Sequence, residues 1–158
     1  MMKRMATVLV FLCGLFVFWI LIVGYNLMTG PHTDLGVVNG RLTGVPPSPN
    51  AVSTFAVDSE HQIEPIVLTC SVSQAMQQAD EILKDMCGST IVQREGHYLL
   101  AEFQSCLFRF IDDVEILCDE ATSTLHFRSA SRLGHSDLGK NRERMEEFRR
   151  RFHAIQNQ

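Results

Sequence analysis

From Met5 to Tyr25 the chain runs for 21 residues without a charged side chain. At ~1.5 Å rise per residue a helix of that length covers the ~30 Å hydrocarbon core of a bilayer, so residues 5–25 are expected to be a transmembrane helix. Lys3 and Arg4 stand just before the run, whereas the next basic residue is Arg41. The excess of positive charge on one side assigns residues 1–4 to the cytoplasm and everything after Tyr25 to the far side of the membrane. Trp19 and Tyr25 fall in the outer half of the run, where amphipathic rings favour the interface. A cleaved signal peptide would carry an apolar region of ~7 to 15 residues and a small-x-small cleavage site. This run is longer, Val23-Gly24-Tyr25-Asn26-Leu27-Met28 offers no Ala-x-Ala, and no cysteine follows as a lipid attachment point. The helix is therefore expected to be retained as a single-pass anchor.

Outside the leader there are 12 basic and 18 acidic residues. Binding that depends on neutralising phosphates requires a basic excess, so this balance argues against a nucleic-acid partner.

Residues 26–44 hold four glycines and Pro31 with few large apolar side chains, the composition of a flexible tether. The domain is expected to start at Val45, leaving 114 residues to Gln158, enough to bury ~65% of the unfolded surface without a staple. Pro46-Pro47-Ser48-Pro49-Asn50 must be extended or turning, since each proline pushes its predecessor out of the helical region. Ile63 to Thr69 is short and β-rich. Ser71 or Ser73 is placed to cap a helix with Val72, Ala75, Met76, Ala79, Ile82, Leu83 and Met86 on one face, ended by Gly88. Thr90–Gln93 and His97–Phe103 form a hairpin pattern about Arg94-Glu95-Gly96. Leu107–Cys118 and Thr124–Ser131 alternate as two further strands, and a last helix from about Asn141 carries Met145, Phe148, Phe152 and Ile155 as an apolar stripe. The expected fold class is α+β: a transmembrane helix, then a small antiparallel sheet of four to five strands with two helices packed on one face.

Setting Asp119 opposite Thr124 predicts the register of the last hairpin. Val114, Ile116 and Cys118 then share a core face with Ser129, Phe127 and Leu125, and Glu115 lies opposite Arg128 on the other face with Asp113 diagonal to it. A one-residue slip would bury the charges.

Three stretches carry a family resemblance: Ser48-Pro49-Asn50-x-Val52-Ser53, Asp58-x-x-His61-x-Ile63-x-Pro65, and Ala101-Glu102-Phe103 followed by Leu107-Phe108-Arg109-Phe110-Ile111-Asp112-Asp113-Val114-Glu115. The densest match is Arg128-Ser129-Ala130-Ser131-Arg132-x-Gly134-x-Ser136-Asp137-Leu138-Gly139-x-Asn141-Arg142. Together these resemble the family called domain of unknown function 1499, over nearly all of residues 45–150. The resemblance implies a bacterial or plastid setting and an exported or membrane-tethered domain, hence an inner-membrane protein with a periplasmic domain; it implies no activity. The family pattern is similar to Cys-Pro-x-Ser-Pro-Asn-Cys-Val-Ser, and here Val45 and Ala51 occupy both cysteine positions. The paired absence suggests that the two cysteines act together in relatives, as a disulfide or a metal pair, and that this chain does without either.

Cys70, Cys87, Cys106 and Cys118 remain outside the membrane. Cys70 and Cys87 flank a helix of ~15 residues, which puts them ~20 Å apart, too far for the under ~7 Å that a disulfide needs; the other pairings stay open. There is no Cys-x-x-Cys. The histidines His32, His61, His97, His126, His135 and His153 show no metal-ligand spacing, so no metal and no cofactor is expected. No Gly-x-Ser-x-Gly elbow occurs, and Ser136-Asp137-Leu138-Gly139 has the composition of a turn with Asn141 as the following N-cap. Asp112 and Asp113 point to opposite faces of a strand, so they cannot share a proton as a dyad.

The candidate site is the arginine- and aspartate-rich end. Arg128, Arg132 and Arg142, with Ser129, Ser131 and the last helix's N-terminus, have the chemistry to hold a carboxylate or phosphate such as a lipid headgroup. The same Arg109, Asp112, Asp113, Glu115, Arg128 and Arg132 have the charges to neutralise one another as a structural network. The sequence therefore predicts a membrane-anchored, non-catalytic envelope module that binds a partner protein or an anionic envelope component. Its alternative is a hydrolase-type enzyme working through Ser136, Asp137 and the neighbouring arginines.

Overall fold

The computed structural model describes residues 2–30 and 34–157, apart from the side chains of Met2 and Lys3. Pro31 of the expected tether, His32 and the Lys3 side chain lie outside the described residues.

Helix α1 spans Met2–Leu27, and its segment Arg4–Leu27 is long and apolar enough to cross a membrane. Its large apolar side chains, from Met5 to Leu27, are mostly exposed. Two short strands follow, β1 Val37–Val38 and β2 Arg41–Leu42, paired antiparallel. Asn39 and Gly40 both have positive φ, the geometry that an Asn-Gly hairpin turn supplies at least cost. Residues 34–44, which glycine content assigns to a flexible tether, thus form a hairpin with a buried side chain, Leu42.

Next come β3 Ala51–Ser53 and β4 Ile66–Val67. Helix α2, Val72–Asp85, starts at a capping box in which Gln74 N donates to Ser71 Oγ (3.3 Å) and Ser71 N to Gln74 Oε1 (3.2 Å). After it, Gly88 has φ +83, and a Cβ there would lie 2.6 Å from Gln104 O, so only glycine fits. Strands β5 Ser89–Glu95 and β6 Tyr98–Gln104 meet at a two-residue turn, Gly96-His97. Arg94 and Glu95 therefore belong to the strand rather than to the loop expected for them. Strand β7 is Ile111–Asp119, β8 is Thr124–Ser131, and α3 is Lys140–Gln156. The sheet is antiparallel in the order β3-β8-β7-β6-β5, with β4 also paired to β8. The fold is α+β, with six strands in the main sheet, more than the four to five anticipated because β3 and β4 are too short to show periodicity.

Helices α2 and α3 cover one sheet face. Met76, Ala79, Leu83, Met145, Phe148 and Phe152 pack against Val52, Ala101, Phe103, Val114, Ile116 and Phe127, and Phe127 meets Phe148 edge-on at a centroid distance of 6.0 Å. The β7–β8 register sets Asp119 opposite Thr124, Glu115 opposite Arg128 and Val114 opposite Ser129, as the alternation predicts.

The opposite face departs from the usual half-wet sheet. Leu42 packs there with Tyr98, Leu100 and Leu117, flanked by Leu35 and Phe55, so Glu115, Arg128 and Asp113 are buried despite facing away from the helices.

Candidate functional site

On the hairpin-covered face, Arg128 Nη1 donates to Glu115 Oε2 at 2.9 Å with both side chains fully buried. Burying two charges is tolerated only when the remaining polar atoms are also paired. Glu115 Oε1 accepts from Tyr98 Oη (2.9 Å) and from Gly36 N (2.7 Å), and Arg128 Nε donates to Gly44 O (3.1 Å). Burial, then the Glu115 carboxylate, pushes the Tyr98 phenol pKa well up, so Tyr98 stays a proton donor. Arg128 Nη2 is the exception: it has no hydrogen-bond partner among the described residues, and Asp34 Oδ2 lies 3.8 Å from it.

Beside this pair, Arg132 forks onto Asp113, with Nε to Oδ2 at 3.0 Å and Nη2 to Oδ1 at 2.7 Å, and also pairs with Glu102. The Asp113 bond, against some loss from burial, holds the guanidinium pKa above its ordinary value. Arg132 Nη1 donates further to Thr29 O, just beyond α1 (3.3 Å). The network therefore ties the sheet to the end of α1.

On the helix-covered face lies a second polar cluster. Asn141 Nδ2 donates to Asn50 O (2.8 Å) and Ser131 Oγ (2.9 Å), and Ser129 Oγ donates to Asn141 Oδ1. Arg144 joins Asn141 Oδ1 (2.6 Å), Ser129 Oγ (3.1 Å) and Asp112 Oδ2 (2.6 Å), its guanidinium lying 4.6 Å from the Phe103 ring centre. Asn50 Nδ2 in turn reaches Gly134 O at 2.7 Å. Asn141 is thus not the N-cap expected of it. Gly139 occupies that position, and Asp137 does the capping work by accepting from Gly139 N (3.0 Å) and Asn141 N (2.6 Å). The physical reason is that Asn141 lies two residues past the cap, where its side-chain amide faces the sheet and bonds the buried Ser129 and Ser131.

The predicted site residues therefore divide among several places. Asp113, Glu115, Arg128 and Arg132 meet on the outer face, and Asp112, Ser129, Ser131 and Asn141 on the inner one. Ser136 Oγ accepts from Leu138 N at 3.3 Å within the turn before α3. Arg142 donates to the Glu60 and Gln62 carbonyls at 2.8 and 2.9 Å. Arg109 joins none of them: it is exposed in the β6–β7 loop with φ +59. Sequence reasoning missed Tyr98, Glu102, Asn50 and Arg144. Strand parity would have placed Glu102 with Arg132, and the three-residue spacing from Asn141 would have placed Arg144 beside it.

Near Asn50, the buried His61 ring shares hydrogen bonds with Asp58 Oδ1 (2.6 Å) and Ser48 O (3.0 Å). Burial alone would lower the His61 pKa, but the Ser48 carbonyl and the Asp58 carboxylate more than offset it and the net shift is upward. No cluster of three or more His, Cys, Asp or Glu side chains suited to a metal occurs among the described residues. The cysteines Cys70, Cys87, Cys106 and Cys118 are free thiols, and burial pushes Cys118 up to about 11.

A cavity of about 730 Å³ opens between the β6–β7 loop, residues 131–138 and the N-terminal half of α3. Phe103, Phe110, Leu133 and Leu138 give it apolar walls, and its charged lining mixes Lys140, Arg144 and Arg151 with Asp112, Asp137, Glu143 and Glu147.

A helix apolar enough for a membrane, joined to an α+β domain whose two sheet faces are closed by helices on one side and by its own N-terminal hairpin on the other, defines the class: a candidate single-span protein with one appended domain. The chain belongs to the family described as protein of unknown function (DUF1499), whose model matches residues 41–152. That range takes in β2, so the strand that closes the charged face belongs to the family unit. No curated protein and no solved structure matches the chain.

Proposed function

We propose that this chain is a non-catalytic module anchored in the bacterial inner membrane, N-terminus in the cytoplasm and domain in the periplasm, that binds an anionic envelope component in the cavity beside α3. The cavity carries the reading. Its volume of about 730 Å³ lies within the ~300 to 1,000 Å³ usual for ligand pockets, and it combines apolar walls with a few charged groups. Lys140, in its lining, is paired among the described residues with the exposed Glu143 alone. Exposed pairs of this kind are worth little, so the ammonium is free to exchange that carboxylate for a ligand phosphate or carboxylate. By contrast Arg128 and Arg132 are neutralised internally, which moves the anion site away from them.

A hydrolase reading has less support, since Ser136 and Asp137 are both engaged with the backbone of the α3 turn. Binding of short-chain phosphatidylglycerol to the full chain in detergent tests the proposal. Saturable binding that Lys140→Glu weakens about tenfold, or ~1.4 kcal/mol, is expected; saturation unaltered by that change, or none at all, would discard it. A reporter fused after Gln158 that is active only in the cytoplasm would discard the orientation.

A further inference from the structure

We infer that the β6–β7 loop, Leu107 to Phe110, is a second membrane contact that inserts into the outer leaflet alongside the anchor helix. The inference rests on the anchor part of the reading above, that α1 spans the bilayer, and not on the ligand cavity.

The loop is held against α1 by two hydrogen bonds. Trp19 Nε1 donates to Leu107 O at 2.9 Å, and the buried Asn26 donates from Nδ2 to Phe108 O at 2.9 Å. Trp19 lies six residues before Tyr25, ~9 Å further down the helix axis. A loop bonded both to Asn26, one residue past the run, and to Trp19 within it therefore lies along the outermost two turns of the apolar run, at the depth where lipid begins.

Its side chains and the paired part of its backbone suit that depth. Leu107 is 61% exposed, Phe108 37% and Phe110 41%, an apolar group that water would leave unpartnered and acyl chains would cover. Non-helical backbone at membrane depth is tolerated only where its polar groups are paired. Here Leu107 O and Phe108 O are taken by α1, Ser105 N donates to Phe110 O (2.9 Å), and Phe110 N donates to Ser105 Oγ (2.9 Å). Arg109 stands between the phenylalanines, exposed and without a hydrogen bond or ion pair among the described residues. A long basic side chain in this position reaches back to lipid phosphates while its stem stays in the apolar zone.

The full chain, with its cysteines replaced and one new cysteine at Leu107, labelled with an environment-sensitive fluorophore, tests this in vesicles of phosphatidylethanolamine and phosphatidylglycerol. The same label at Glu81, on an exposed part of α2, is the control. Expected are a blue-shifted emission at Leu107 and quenching by lipid-borne spin labels several-fold stronger than at Glu81. Quenching of Trp19, the one tryptophan, by brominated lipids reports the anchor separately in the unsubstituted chain. Trp19 quenched while the Leu107 label behaves as in water would overturn the loop insertion and leave the anchor standing. A blue-shifted label that lipid quenchers do not reach would also overturn it, assigning the patch to another protein. Trp19 unquenched would remove the anchor and the loop together. If the cysteine-replaced chain does not fold, Phe108→Trp in the otherwise native chain gives the same readout as added lipid-quenchable emission over that of Trp19.

Discussion

Phe127 and Arg128 are neighbours on β8, and both are fully buried, yet opposite physics holds them. Phe127 faces α2 and α3 in a core built of non-directional apolar contacts, where any side chain of about the right volume will serve. Arg128 faces the β1–β2 hairpin, where its place depends on Glu115, Gly44 O and the groups that complete Glu115. The apolar face tolerates exchange and the charged face does not, because a buried ion without its partner retains the whole cost of its desolvation. The charged face gains specificity in return: one hairpin conformation brings Gly36 N and Gly44 O to the pair.

The sharpest way to break the comparison is Glu115→Ala. Leaving Arg128 buried with only the distant, exposed Asp34 as counter-charge is expected to cost ~3 to 5 kcal/mol in chemical unfolding of the full chain in detergent, as much as the ~3 to 5 kcal/mol of Phe127→Ala on the other face. Replacing Glu115 and Arg128 together by methionine should recover much of the loss, which no second substitution would do for Phe127→Ala; a double variant as unstable as Glu115→Ala would refute the contrast.

The Arg144 cluster is intermediate, polar but on the helix side. Arg144→Ala takes the guanidinium from Asp112 and one donor each from Ser129 and Asn141, and ~1 to 3 kcal/mol of destabilisation is expected by the same measurement. A loss below that range would show that water enters the cavity and replaces the guanidinium. The cover of the apolar face is tested by Ser71→Ala, which removes the capping box of α2 and should cost ~1 kcal/mol, with an equal fall in helix stability followed by circular dichroism.

The smallest effect is a pH dependence. Because the folded pKa of His61 is raised, its contribution to stability is complete below the unfolded value of ~6.5 and is lost as pH rises through the higher folded value. Unfolding free energies measured from pH 6 upwards should therefore decline gently, and His61→Gln should flatten that decline. An unchanged slope in the variant would assign the dependence to another group.

Much of the apolar face was legible in the sequence. The three-and-four spacing of Ala75, Met76, Ala79, Ile82 and Leu83 and the stripe Met145, Phe148, Phe152 identify α2, α3 and their buried sides; the alternation expected over Leu107–Cys118 holds only from Ile111, where β7 begins, and with Thr124–Ser131 it yields the β7–β8 register. The charged face was legible only in part. Parity set Glu115 opposite Arg128 but implied that both would face water, and it offered Asp113 to Arg128 although Arg132 takes it. The Asn39-Gly40 turn was the available signal that residues 34–44 fold rather than trail.

What the sequence determined by itself is whatever repeats locally: the charge-free run from Met5 to Tyr25, the helix and strand periods, a serine cap before α2 and the pairing of adjacent strands. What only the tertiary structure decided is which face each segment covers. Arg128 is buried by Gly44, 84 residues before it in the chain, and the β6–β7 loop is held by Asn26, 82 residues before Phe108. Periodicity tells two faces apart, but it carries no information about the distant segment that closes one of them. That choice is made when the hairpin, the loop and the end of α1 find partners for polar groups that would otherwise be buried alone.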